Sequence, residues 1–254
     1  MGVARNYVSV PAPDVAQGGV LRAARVIDST DPHDMLGAEY VTDACAEINV
    51  WEEYCTLNPA SPKVFDDDPG LVVGDPFTLY AGVSCNLQRL DEGLTRARNR
   101  LDFGERAGVD LAVTAAIAAL PPVDLGGPFS IGEAIGLAEN YAGLVYGGVP
   151  TILIPRPVVV CGCLNGAIST GLDGSLTTCQ GSRVANYVVS QPPPATLVLY
   201  VTGQITLLRS AVMALSTPQQ PLGDGTYEPP RALAERTYVP LIECLAAQVE
   251  VTCT

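Results

Sequence analysis

His33 is the only histidine of the chain and lies in the stretch Asp31-Pro32-His33-Asp34. A histidine beside a carboxylate can act as a general base once a third group orders it. A turn-like stretch supplies no such order, so a solvated surface histidine is the simpler reading. Asp66-Asp67-Asp68 carries the oxygen ligands a hard cation takes, but it falls in the proline-bearing segment Leu57 to Gly70 and reads as a solvated loop. Cys161 and Cys163 stand two apart in the apolar run Val158 to Leu164. On a strand they would share one face and offer half of a zinc site. No CxxC pair or second histidine completes a tetrahedral set, so they read as small buried hydrophobes. Phosphate-binding G-x-x-x-x-G-K-[ST], dinucleotide-binding G-x-G-x-x-G and nucleophile-elbow G-x-S-x-G patterns are all missing. No catalytic, cofactor or metal residue is assigned, and an enzyme is not expected.

Composition points elsewhere. Apolar residues make up 48% of the 254 and charged residues only 16%, against roughly 25% charged in an average soluble domain. So few charges coat an isolated sphere poorly, and part of the apolar surface is expected to be covered by other chains. Net charge is −13, with Lys63 as the sole lysine. That balance disfavours general nucleic-acid affinity, which needs a positive footprint. Met1 to Asp14 lacks the apolar core of an export signal, and no run of about 18 apolar residues is present. A soluble protein is expected. Eight cysteines without an export signal do not by default make a disulfide framework. Cys45, Cys55 and Cys85 flank possible hairpin strands, where a cross-strand disulfide remains open.

The elements read as follows. Residues 1–17 form an extended arm, and Gly18 to Ile27 is a short apolar piece of undecided type. The β-prone residues between Glu39 and Val50, the loop Leu57 to Gly70 and the extended Leu71 to Val83 suggest a long two-stranded excursion. At about 3.3 Å per residue each arm would reach roughly 30 Å. Such a ribbon is marginal alone and needs another surface to lie on. Leu90 to Leu120 has helical spacing, weakened by Gly104 and Gly108, so one bent helix or two are both allowed. Arg96, Arg100 and Glu92 mark its wet side. Arg89, Arg96, Arg98, Arg100 and Arg106 could face nucleic acid, but a solvated face interleaved with Asp91, Glu92, Asp102 and Glu105 is the simpler reading. Ser130 and Glu133 form a capping box for a helix that Gly147-Gly148 ends. Thr151 to Ile154 and Val158 to Leu164 read as strands. Leu197 to Val201 lacks polar alternation, so both its faces should be covered. Gly203 suits a bend with positive φ. Gln248 to Thr252 alternates with period two, and the last sixty residues are expected to supply one central sheet. The order of elements is α+β.

Three stretches, K-V-F…D-P-F-T-L-Y-A-G-V-S-C (Lys63 to Cys85) with R-A-R…L-D-F-G-E-R, L-A-E-N-Y-A-G-L-V-Y-G-G-V-P-T-I-L-I-P-R (Leu137 to Arg156) with L-T-T-C-Q-G-S-R-V-A, and L-Y-V-T-G-Q-I-T-L-L-R-S with A-L-A-E-R-T-Y-V (Leu199 to Val239), follow one another in an order that resembles the major capsid proteins of tailed phages. The likeness runs from about residue 18 to the end and is strongest to phages of actinobacterial hosts. It implies a Hong Kong 97-like fold: an N-terminal arm (1–38), an extended loop (39–84), a peripheral domain with a spine helix (85–127), an axial domain (128–194) and C-terminal strands completing both (195–254). On the extended loop it implies inter-subunit contacts by Tyr40, Trp51, Lys63, Phe65 and Phe77. It further implies hexamers and pentamers of identical copies enclosing double-stranded DNA contacted non-specifically. Portal, scaffold and decoration proteins would be partners, with no cofactor and no membrane. Assembly would occur in the host cytoplasm, and the product would be a virion. Some such proteins cross-link a loop lysine to a late asparagine. Lys63 sits in the right region, but no asparagine follows Asn186, so cohesion is expected to be non-covalent. An encapsulin-like compartment shell and a minor or decoration capsid protein are the alternatives.

Overall fold

The computed structural model describes residues 18–42, 44–45, 71–84, 90–189, 196–217, 220–221 and 227–252. The undecided piece near residue 20 is both things in turn: a one-turn helix α1 (Val20–Ala23) and a strand β1 (Arg25–Asp28). A 3-10 turn (Pro32–Leu36), β2 (Ala38–Val41), β3 (Leu71–Gly74) and β4 (Phe77–Ser84) precede the long helix α2 (Leu90–Ala119). Then come β5 (Val123–Asp124), β6 (Phe129–Ser130), α3 (Ile131–Val145), β7 (Thr151–Pro155) and α4 (Arg156–Leu164). β8 (Ile168–Thr170), β9 (Leu176–Thr178), β10 (Arg183–Tyr187), β11 (Leu197–Thr202) and β12 (Ile205–Arg209) follow. β13 (Met213–Thr217), β14 (Gln220–Pro221), β15 (Tyr227–Glu228), β16 (Arg231–Ile242) and β17 (Ala246–Thr252) close the chain.

The last sixty residues divide between two sheets, where one was expected. In the first sheet β16 is the axis: β4 pairs along one edge, and β12 and β13 share the other, with β1 parallel to β12 outside. In the second sheet the order is β5-β17-β11-β7-β10-β9-β8, with β6 also on β17. Residues 203–204 and 243–245 carry the chain from one sheet to the other. No single sheet forms because β11 and β12 are separated by a bend at Gly203.

The long helix is one continuous element of 30 residues, about 45 Å at 1.5 Å per residue. Ala97, Leu101, Val109, Val113 and Ile117 make its buried stripe. Its first half packs on Val83, Ala232 and Ala234 of the first sheet. Its second half packs on both sheets, against Leu153 and Ala185 on one side and Ile205, Leu207 and Tyr238 on the other. Gly108 does not break the helix. It permits close approach, since a Cβ there would lie 2.8 Å from Leu79 Cδ2. α3 covers the opposite face of the second sheet, where Ile135, Ala138 and Ala142 meet Ile152, Ile154, Leu199, Val201, Val249 and Val251. β7 and β11 are therefore covered on both faces, which is why they show no polar alternation. In β17, Ala247, Val249 and Val251 are buried and Glu250 exposed, the half-buried period of two.

Several local expectations change. Val158 to Leu164 is helix, not strand: Pro157 sits in its first turn, where proline's missing N–H costs nothing. The valine run reflects burial of Val158 and Val159. The capping box at α3 is present, with Glu133 N–H donating to Ser130 Oγ at 3.5 Å and Ser130 N–H to Glu133 Oε2 at 3.1 Å. The Ser130 hydroxyl, donating to Glu133 Oε2 at 2.7 Å, and then the Ser130 N–H hold the Glu133 carboxyl below its ordinary range, so its support is full above that range and is lost on acidification. The helix then ends on Tyr146 in extended backbone, without a left-handed glycine. Gly203 also has no positive φ. A Cβ there would lie 2.8 Å from Glu243 Cβ and 2.9 Å from the Tyr146 ring, so close approach excludes a side chain.

Of the expected excursion, residues 46–70 lie outside the described residues, and its second arm divides between two partners. β2 and β3 pair antiparallel, Ala38 opposite Gly74 through Val41 opposite Leu71. β4 instead runs along β16, from Phe77 opposite Tyr238 to Ser84 opposite Arg231. Its alternate burial fits a sheet strand lying on α2. Gly74 marks the change of partner, because a Cβ there would lie 2.6 Å from the Pro240 carbonyl oxygen. Replacing exposed Gly104, whose Cβ would meet nothing within 4 Å, by alanine should stabilise the protein by about 1 kcal/mol. Gly74→Ala should destabilise it by roughly 1–3 kcal/mol. Urea-denaturation midpoints of the two variants check both signs.

Candidate functional site

Two polar clusters fix the long helix, and a third fixes the crossing between the sheets. Asp110 on α2 is fully buried. Its Oδ1 accepts the Val20 N–H at 2.7 Å, and its Oδ2 lies 3.4 Å from an Arg156 guanidinium nitrogen and 3.9 Å from Arg106 Nε. Arg106 also donates to Asn186 Oδ1 at 2.9 Å. Gly18 and Gly19, with φ of 92° and 82°, bring the N-terminal segment over this pair. A Cβ on Gly19 would stand 2.6 Å from Asp110 Oδ1. Burial pushes the Asp110 carboxyl up, while the Val20 amide and the two guanidiniums pull it down. Burial also lowers the Arg106 guanidinium. One turn earlier, Glu105 Oε1 accepts from Arg236 at 2.6 Å and from the Tyr238 hydroxyl at 2.5 Å. Arg106 and Glu105 were expected on the wet side of this helix, and both are withdrawn into its packing against the sheets. Their i,i+4 and i,i+1 neighbours do not distinguish a buried ion pair from a solvated one.

At the crossing, Tyr146 hands its hydroxyl proton toward Glu243 Oε2, and the Gln204 N–H donates to Tyr146 Oη at 2.9 Å. Glu243 N–H donates to Gln204 O at 3.2 Å. Burial, then the bond to Glu243, raises the Tyr146 pKa to about 12. Nearby, Cys45 and Cys244 form a disulfide, and Gly147 N–H donates to the Ala44 carbonyl at 2.9 Å. These groups line a groove of about 1390 Å³. Its apolar walls include Leu120, Val123, Leu144, Val145 and Val149, all among the exposed large hydrophobics, with Leu144 76% exposed. Val41 and Val73 on the β2–β3 pair are exposed as well. A concave surface with apolar walls of this kind can bind another protein surface.

The expected residues distribute plainly. Tyr40 Oη donates to the Ile242 carbonyl at 2.7 Å and accepts the Ile242 N–H at 2.8 Å. Phe77 stacks on Tyr238 with ring centroids 5.4 Å apart. Both side chains are thus engaged within their own chain. Trp51, Lys63, Phe65, Asp66-Asp67-Asp68, Cys55, Cys85, Arg89 and residues 1–17 lie outside the described residues. His33 is exposed on the 3-10 turn, where its backbone N–H donates to Asp31 Oδ1 at 2.9 Å. Cys161 and Cys163, two apart on a helix, do not share a face. Cys161 is disulfide-bonded and Cys163 is an exposed thiol, which replaces the reading of both as buried hydrophobes. Among the described residues, no group of three or more His, Cys, Asp or Glu could hold a metal ion, and no helix is long and apolar enough to cross a membrane.

The chain matches no protein-family profile and no curated protein sequence. In structure it is similar to the capsid of an empty GTA particle, at TM-score 0.59 and 11% identity, over 98% of this chain and 94% of that one. It is similar to a chain of Microbacterium phage Oxtober96 at TM-score 0.54 and 12% identity, over 98% and 96%. A virus-like particle from Pyrococcus furiosus matches at TM-score 0.51 and 10% identity, over 92% of each chain. The fold is the Hong Kong 97-like capsid fold.

Asp110→Ala should cost about 3–5 kcal/mol, because it leaves the Arg106 charge buried without its carboxylate. Tyr146→Phe should cost about 1–3 kcal/mol by stripping Glu243 and the Gln204 amide of a partner. The folded Tyr146 holds its proton more tightly than the unfolded one. Its contribution is therefore full below its ordinary value of 10 and disappears as pH rises through about 12. Denaturation midpoints of both variants, with the Tyr146→Phe difference followed into alkaline solution, test these signs.

Proposed function

We propose that the chain is the repeating structural subunit of an icosahedral shell that encloses a phage double-stranded DNA genome. The observation that carries this reading is the near end-to-end match to a GTA-particle capsid, 98% of this chain on 94% of the other. The low charge content and the apolar groove support it, since both require cover by other copies. On this reading the first sheet and α2 form the peripheral domain, and the second sheet with α3 and α4 forms the axial domain at capsomer centres. The segment joining β2 to β3 reaches a neighbouring subunit, with Trp51, Lys63 and Phe65 among its contacts. Hexamers and pentamers of identical copies build the wall, a portal and any scaffold or decoration proteins join it, and assembly takes place in the host cytoplasm. The chain performs no catalysis. Its net charge of −13 keeps the wall from adhering to packaged nucleic acid, which it touches non-specifically.

A compartment shell holding protein cargo is the second reading, favoured by the match to the Pyrococcus furiosus virus-like particle. Nucleic acid against protein inside purified particles separates the two. Electron microscopy and sedimentation of the purified full chain should show closed particles. A stable monomer at micromolar concentration would overturn the shell. Leu144→Asp with Val149→Asp should leave the circular dichroism spectrum unchanged and cut particle yield more than tenfold, because an unpaired charge buried at an interface costs about 2–5 kcal/mol.

A further inference from the structure

The Cys45–Cys244 disulfide joins residues 199 apart in sequence. Contacts independent of the bond hold both of its ends. On one side, the Ala44 carbonyl accepts from Gly147 N–H at 2.9 Å, and the Tyr40 hydroxyl is tied twice to the Ile242 backbone. On the other side, Glu243 is held by the Tyr146 hydroxyl and by Gln204. The fold therefore brings the two sulfurs together, and the covalent bond is added to a geometry already set. Cys45 is half-buried and Cys244 exposed, and both line the large groove. A small thiol or disulfide can reach them without opening the core, which is the setting of an exchangeable disulfide. Cys45 also lies just after β2, at the start of the connection to β3.

We infer that Cys45–Cys244 is a redox latch that fixes the root of the β2–β3 excursion to the crossing between the two sheets. Oxidation closes it after the chain has folded, and thiols open it. On closing, the two thiols together lose two protons and two electrons and form the S–S bond. A low-molecular-weight disulfide takes those electrons and protons and is cleaved to two thiols. Opening is the reverse exchange with a dithiol. While the thiols are free, the root is held only by hydrogen bonds and can yield as neighbouring surfaces are fitted. Once the bond forms, its direction is locked. The latch belongs to the single chain; only its consequence for particles rests on the shell reading.

The test uses the full-length protein, equilibrated with either oxidised glutathione or dithiothreitol. Peptide mapping without reductant should recover Cys45 linked to Cys244. Amide exchange at Gly147 should be slow in the oxidised protein and at least tenfold faster after reduction, because loss of the cross-link frees local opening. The thermal midpoint should fall by about 5 °C or more on reduction. Because Cys161 is also disulfide-bonded, Cys45→Ser supplies the control. In that variant Gly147 should exchange fast under both conditions. Should the variant fail to fold, the reductant series on the natural chain still decides. Equal Gly147 exchange in both states, or alkylation of Cys45 and Cys244 in the oxidised protein, would overturn the latch. Where particles form, the oxidised ones should resist dissociation by urea better than the reduced ones, and equal resistance would remove the proposed consequence. A chain that forms no particles defeats the shell reading and leaves the peptide map and the exchange data to judge the latch.

Discussion

Two short turns, 203–204 and 243–245, carry the chain between the sheets side by side, and the rest of the structure depends on their being held together. The Glu243 N–H to Gln204 O bond continues the β12–β16 ladder up to the turn. Beyond it, β11 and β17 pair again, Thr202 opposite Ala246. Neither sheet can rotate against the other without opening this double crossing. Gly203 must lack a side chain so that Glu243 and the Tyr146 ring can close over it. The half-buried Glu243 carboxylate is costly at such a point unless it is bonded, and the Tyr146 hydroxyl and Gln204 amide supply the bonds. α3 ends at this position, so the helix covering the second sheet is tied to the same knot.

The long helix adds a second tie. Its stripe from Ala97 to Ile117 touches the first sheet and then both sheets, so it braces the crossing over most of its length. The Asp110 cluster lies where the N-terminal segment, the helix and the second sheet meet. Buried ion pairs contribute little net stability against well-packed apolar groups, and their best-attested use is to select one register. Here the fixed register is the seating of Val20 on the helix. An apolar residue at position 110 could pack, but it could not accept the Val20 amide or neutralise Arg106.

Long-period patterns were legible in the sequence, and chain reversals were not. The stripe of α2, the capping box Ser130–Glu133 and the alternation of β17 follow from local spacing alone, and the order of the three motif stretches pointed to the capsid fold. The valine run of α4 reads as strand because burial on a helix and on a strand gives the same apolar string over seven residues. β4 reads as part of the excursion because its change of partner at Gly74 is decided by Pro240, far away in sequence. The disulfide, the Tyr146–Glu243 pair and the Val20–Asp110 bond join residues from 90 to 199 positions apart. No periodicity reports such pairs. Glycines that need no positive φ, such as Gly74, Gly108 and Gly203, were the available signal: each marks a place where something else must come close.

The distribution of charge bears on how copies can meet. Arg22, Arg96, Arg106, Arg156, Arg209 and Arg236 are all paired with carboxylates of their own chain. Those cations are engaged at home, and the net charge of −13 makes any two copies repel. Salt screens that repulsion beyond about 10 Å at 0.1 M, but it supplies no attraction. In the proposed shell, cohesion between copies would come from apolar area removed from water, at roughly 25 cal/mol per Å², less the cost of association. Leu144 and Val149 line the groove, Val41 and Val73 lie on the β2–β3 pair, and all four remain uncovered on the single chain. An acidic, under-charged chain that pairs these six arginines internally and leaves that apolar surface bare is suited to many moderate contacts. If copies build a wall as proposed, such contacts can be broken and remade while it is being fitted, and the proposed Cys45–Cys244 latch would then hold the fit.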